Sequence, residues 1–98
     1  MPRPNFITKE EIERWDKIIE EEIAEPFCSN LLFKEVCYAG QWLGEQLLLL
    51  GCSEENITKI VYTAGKQSFG RDTWEISKML LSAYENNELE YETDYQLN

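Results

Sequence analysis

The sequence predicts an all-α protein, folded as a compact domain resembling a four-helix bundle. Four segments repeat their apolar residues at helical spacing, and three of these segments also have residues suited to start and stop a helix. The connections between the segments are short, which favours neighbouring helices packed together. The length of 98 residues suits a single domain over 1–98, and the acidic tail at about 87–98 is expected to be loose.

The first two predicted helices differ in how much of their surface is apolar. Helix one is predicted over 9–24, where Thr8 and Glu11 form a capping box. Its apolar residues share one face, and its charged residues share the other. Helix two is predicted over 31–50, stopped by Gly51, and is apolar around most of its circumference. A helix of this kind lies at the centre of a bundle or carries an interface.

The second half of the chain predicts two shorter helices. Helix three is predicted over 54–68, capped by Ser53, and helix four over 73–86, capped by Asp72. In helix four, Met79 belongs to the predicted core face. The four helices together predict a core centred on eight residues that share the inner faces, namely Leu32, Val36, Leu43, Leu47, Ile60, Ala64, Ile76 and Leu80.

The composition limits the partners and the compartment. The net charge is −10, from 19 acidic and 9 basic residues, and non-specific nucleic-acid binding needs clustered Lys and Arg instead. Cys28, Cys37 and Cys52 are odd in number and form no Cys-x-x-Cys pair, which indicates reduced thiols. The chain starts without the apolar stretch of a signal peptide, and polar residues interrupt its most apolar segment, so no membrane span is expected. These features together predict a cytoplasmic protein.

The sequence predicts no catalytic residue, no cofactor and no metal site. It contains no histidine, the commonest general base and a frequent zinc ligand. A zinc site made only of thiolates needs four cysteines, and the chain has three. Gly-rich phosphate loops and calcium-binding loops are also absent from the sequence.

Two glycines stand one turn apart in the second predicted helix. Gly40 and Gly44 each destabilise a helix interior by about 1 kcal/mol relative to alanine. Their spacing predicts that another helix approaches closely on that side. Close packing inside the bundle is favoured over a contact between subunits.

The strongest candidate for a functional surface lies around the turn between helices three and four. Segment 57–80 holds four basic and two acidic residues, so it is locally positive in an acidic chain. Aromatic side chains interleaved with Lys and Arg are typical of interface centres. An equally weighted alternative buries Phe69 and Trp74 between neighbouring helices. The predicted protein-binding residues are Tyr62, Lys66, Phe69, Arg71, Trp74, Lys78 and Leu81.

Three functions follow as hypotheses. The leading one is a non-catalytic protein–protein interaction module, a regulator or accessory subunit with an unknown protein partner. The surplus of apolar residues also predicts a homodimer with a two-fold symmetric contact. The second hypothesis is an acidic mimic of nucleic acid that inhibits a DNA-binding protein or a nuclease. The third is a small enzyme that works through carboxylate and tyrosine groups.

Overall fold

The computed structural model describes residues 4–22, 31–68 and 72–89, and this part of the chain contains four helices. The predicted all-α, four-helix bundle-like fold is confirmed. Three helices end within one residue of the predicted position, and most of the predicted tail at 87–98 lies outside the described residues. The helices are α1 (Lys9–Glu22), α2 (Leu31–Leu49), α3 (Glu54–Gln67) and α4 (Thr73–Glu85).

The helix starts follow from side chains that satisfy the first backbone N–H groups, as the sequence predicts. At α1, the Glu11 amide donates to Thr8 Oγ1 at 3.1 Å, and the Thr8 amide donates to Glu11 Oε1 at 3.3 Å, which is a capping box. Ser53 Oγ accepts the Asn56 amide at the start of α3. Asp72 Oδ1 accepts two amides at the start of α4. Each cap prevents unsatisfied donors at a helix end.

The core is built around α2, which packs against α1, α3 and α4. Five predicted core residues are buried: Leu43, Leu47, Ile60, Ala64 and Ile76.

Three of the predicted core positions differ from the others. Leu80 is half-buried and packs against the core, whereas Leu32 lies outside the side chains that the structure describes. Val36 is only half-buried, because it borders a groove. The prediction for Met79 was wrong, since this side chain is 58% exposed: α4 turns its Trp74 and Ser77 face inward instead.

Polar contacts fix α1 against α2. Glu45 accepts hydrogen bonds from Arg14 Nη2 at 2.7 Å and from the buried Trp15 Nε1 at 2.9 Å. Tyr38 Oη donates to Asp16, and Lys34 Nζ lies 3.2 Å from Asp16 Oδ1. Glu45 therefore has a structural role, because it gives the buried indole N–H its acceptor.

Candidate functional site

Trp74, one of the predicted protein-binding residues, lies in the core. Its side chain is 1% exposed, and its ring lies 6.2 Å from that of Trp42. Trp74 Nε1 donates to Glu35 Oε1 at 2.6 Å. Trp74 is therefore a core residue and presents no surface for docking. The alternative interpretation holds for this residue, because α4 packs against both α2 and α3.

The other predicted patch residues are distributed over several environments. Tyr62 is 39% exposed on α3, and Lys66 Nζ lies 5.6 Å from its ring centroid, within range of a cation–π contact. Lys78 is exposed and pairs with Glu75 of its own helix, while Leu81 is half-buried and packs against the core. Phe69 and Arg71 lie outside the described residues. Tyr62 and Lys66 therefore lie together on α3, whereas Trp74 and Leu81 of α4 pack towards the core.

A groove lies between α2 and α3 on the described surface. Its volume is about 960 Å³, near the upper end of the range for ligand pockets. Tyr62 forms part of its α3 wall, so one predicted patch residue belongs to it. Apolar and small residues dominate the rest of the lining, among them Val36, Gly40, Gly44, Leu48, Ile57, Val61 and Gly65.

The two glycines of α2 lie beside side chains of α3 in this groove. A Cβ atom at Gly40 would lie 3.4 Å from Val61 Cγ1, and one at Gly44 would lie 3.7 Å from Ile57 Cγ2. These distances correspond to ordinary contact between packed atoms. The neighbour of both glycines is α3, within the bundle, but its side chains leave room for a Cβ, so this packing does not require glycine at either position.

The deep end of the groove is polar and reaches α4. Thr73 and Ser77 line it from that helix, and both are buried. Thr73 Oγ1 lies 2.9 Å from Ser68 Oγ, which donates to Ala64 O at 2.6 Å. Ser77 Oγ differs from this bonded pair, because it is fully buried and has no hydrogen-bond partner among the described residues. A buried hydroxyl in this state is rare and costly.

The shallow end of the groove adjoins exposed leucines. Leu48 lines the groove and is 61% exposed, and the next residues, Leu49 and Leu50, are 80% and 47% exposed. Gly51 follows with φ +84° and turns the chain towards α3. Three consecutive leucines in water form an apolar surface that suits contact with another molecule. We call Leu48, Leu49 and Leu50 the leucine end of α2.

The sequence contained signals for the groove that residue patterns alone did not resolve. Gly65 lies within α3, and a Cβ at this position would meet no atom of the described residues within 4 Å, so their packing does not require glycine there. Ser77 lies on an inward face of α4, where an apolar residue would be the ordinary choice. The surroundings of both residues depend on how the helices pack against one another.

The described residues include no cluster of Cys, Asp or Glu side chains that could hold a metal ion. Within those residues, no helix is long and apolar enough to cross a membrane. Cys37 lines the groove and Cys52 is buried, and both are present as thiols.

Comparison with known proteins gave no match to a family model, to a curated protein or to a solved structure.

Proposed function

We propose that this protein is a non-catalytic module that binds another protein, with the groove between α2 and α3 as its docking site. The observation that carries the proposal is the continuity of the groove with the leucine end of α2. An open, apolar groove next to exposed leucines offers a binding surface larger than the scattered apolar residues of an ordinary monomer surface.

The polar groups around the groove suit a binding role. The Glu45 carboxylate, on the α2 side of the lining, is held by Arg14 and Trp15 of α1. The hydroxyl groups of Thr73 and Ser68 are bonded to one another. Aromatic and apolar groups with a few polar ones are the usual composition of a docking site. Tyr62 and Lys66 from the predicted patch stand at its α3 edge and extend the same surface.

Site-specific photo-crosslinking tests this proposal. A photoreactive phenylalanine analogue replaces Tyr62 at the groove wall in one variant and Met79 in a matched control, because Met79 is exposed but does not line the groove. In extract of the source cells, the Tyr62 variant is expected to crosslink to a defined protein that the Met79 variant does not capture. Identical products from both positions, or none from Tyr62, would overturn the docking role of the groove.

A second candidate function is the acidic nucleic-acid mimic. Exposed acids on α1 favour it, namely Glu10, Glu13, Glu20 and Glu21. A mimic would meet its basic partner with this face, so a photoreactive group at Glu20 should crosslink and one at Tyr62 should not. Its binding would also fall steeply as salt screens both charged surfaces. The positions of the crosslinks therefore separate the two functions.

A further inference from the structure

Helix α1 differs from the other three helices in how it packs. It lies mainly against α2, whereas α2, α3 and α4 each pack against the other two. Within the described residues, α1 contributes Trp15 and Ile19 to the buried apolar core. The other buried apolar residues, such as Leu43, Ile60 and Ile76, lie on the remaining helices or between them. Most of the buried core therefore belongs to α2, α3 and α4.

Polar contacts attach α1 to one face of α2. Lys34, Tyr38 and Glu45 are spaced by four and seven positions, which places them along the same face of a helix. Asp16 of α1 accepts a hydrogen bond from Tyr38 Oη, and its Oδ1 lies 3.2 Å from Lys34 Nζ. Trp15 donates its indole N–H to Glu45 and lies beside the Tyr38 ring. These contacts with α1 each include a carboxylate or an aromatic group, and they are confined to this face of α2.

Glu45 holds α1 through both of its carboxylate oxygens. Its Oε2 accepts Trp15 Nε1 at 2.9 Å, and its Oε1 accepts Arg14 Nη2 at 2.7 Å. Trp15 is 0% exposed, so its N–H would be buried and unsatisfied without this carboxylate, which is unfavourable. The Glu45 side chain itself is 38% exposed and also lines the groove. The contact that fixes α1 is therefore accessible to solvent, although the indole that depends on it is not.

The carboxyl end of α1 disfavours the helix itself. Glu20 and Glu21 are exposed there, and the last turn of α1 contains no basic residue. Negative charge at this end is unfavourable, because the helix macrodipole is also negative there. The helix has 14 residues, and isolated helices of about this length are marginal in water. The contact with α2 therefore stabilises α1 as a helix, so we expect loss of the contact and loss of the helix to occur together.

We infer that α1 is a detachable helix, which opens from α2 as one cooperative unit while α2, α3 and α4 stay folded, and that Glu45 holds it closed. Proteins open in such units with free energies below that of global unfolding. Burial of Trp15 and Ile19 keeps the closed form dominant. Opening uncovers Tyr38, which is 5% exposed in the closed form, and frees the Glu45 carboxylate beside the groove. The inference is independent of the docking function, because it concerns only the attachment of α1.

Native-state hydrogen exchange of the full chain, followed by NMR at increasing denaturant concentration, tests this inference. Two indole N–H groups form a matched pair, because Trp15 donates to Glu45 and Trp74 donates to Glu35. The Trp15 indole should exchange together with the backbone amides of α1, at least tenfold faster than the Trp74 indole and the core amides of α3. The exchange rate of α1 should depend on denaturant less steeply than global unfolding does, because opening of one helix exposes less surface.

Three variants separate a detachable helix from a single cooperative fold. Ile60→Val weakens the packing of the buried Ile60 on α3. It should speed the exchange of α3 and α4 amides severalfold and leave α1 amides unchanged within twofold, because α3 stays packed when α1 opens. Glu45→Ala should speed α1 exchange at least tenfold. Glu54→Ala is the matched control, since Glu54 also lines the groove but lies on α3, and it should leave α1 exchange unchanged within twofold.

Several outcomes would overturn the inference. A shared opening free energy and denaturant dependence for α1, α3 and α4 would show one cooperative unit, as would equal acceleration of all helices by Ile60→Val. Separate, denaturant-independent rates for individual α1 amides would show fraying instead of cooperative opening. If α1 opens as a unit but does not respond to Glu45→Ala, the role of Glu45 is wrong. Failure of the Tyr62 crosslink would reject the docking function and leave the opening of α1 unaffected.

Discussion

Trp74 Nε1 donates a hydrogen bond to Glu35 Oε1 at 2.6 Å, and this bond joins α4 to α2. The indole is 1% exposed and the carboxylate is half-buried. Trp74 therefore combines a large apolar contact with a polar one that fixes the orientation of its ring. This arrangement supports the helix that carries Thr73 and Ser77 to the deep end of the groove.

Truncation of Trp74 or of Glu35 is expected to lower the free energy of unfolding. Trp74→Ala should reduce the free energy of unfolding by about 3–5 kcal/mol, because it leaves a cavity. Glu35→Ala should cost about 1–3 kcal/mol, since the buried indole N–H loses its acceptor, whereas Glu35→Gln keeps an acceptor oxygen. Denaturant unfolding followed by circular dichroism measures these changes. Met79→Ala is the control and should stay within about 0.5 kcal/mol, and an equally small effect of Trp74→Ala would contradict the buried position.

Two leucines of α2 give a matched comparison of core and surface. Leu43 is fully buried and Leu49 is 80% exposed, so the same substitution tests burial within one helix. Leu43→Ala should cost about 2–5 kcal/mol, and Leu49→Ala should change stability by less than about 0.5 kcal/mol. Unfolding is followed by tryptophan fluorescence at nanomolar protein, where association does not contribute. A loss below about 0.5 kcal/mol for Leu43→Ala would place that residue on the surface.

The fold was predictable from sequence because its signals are local. Apolar spacing and the caps at Thr8, Ser53 and Asp72 depend on residues within one or two turns. The docking patch was harder to predict, because the neighbouring helices determine which faces of a helix are buried. Trp74 was among the predicted protein-binding residues, with burial as an equally weighted alternative, and α4 buries it between α2 and α3.

The groove could not be predicted because it depends on two helices together. Gly40 and Gly44 indicated a close approach, but only the placement of α3 shows that Ile57 and Val61 fill the space beside them. The same placement leaves Gly65 open and Ser77 without a hydrogen-bond partner among the described residues.

Substitution by alanine at two glycines should change the stability of the protein in opposite directions. Gly65 lies in the last turn of α3, and no atom of the described residues lies within 4 Å of its Cβ position, so Gly65→Ala should stabilise the protein by about 0.5 kcal/mol through helix propensity. Gly51 has φ +84° at the end of α2, a conformation that strains other residues, so Gly51→Ala should destabilise it. Thermal melts of both variants measure the changes. Destabilisation by Gly65→Ala would show that the space above α3 is already filled by this chain.

We expect the predicted homodimer to form through the leucine end of α2. Leu49 and Leu50 are exposed and do not line the groove, so two copies that pair there would cover this end of the docking surface and leave the groove lining itself uncovered. Sedimentation is expected to show a dimer at micromolar concentration. Because each copy carries a net charge of −10, added salt should screen their repulsion and tighten the dimer.

Leu49→Lys tests the contact directly. It places a charge where we expect the two copies to meet, and truncation of an interface anchor typically costs about 2 kcal/mol, on the order of a thirtyfold loss of affinity. The dissociation constant should therefore rise by at least that factor, whereas Met79→Lys, a substitution at another exposed apolar residue, should leave it unchanged. A single species of monomer mass at high protein concentration would reject the dimer, and the leucine end would then serve the docking of a different protein beside the groove.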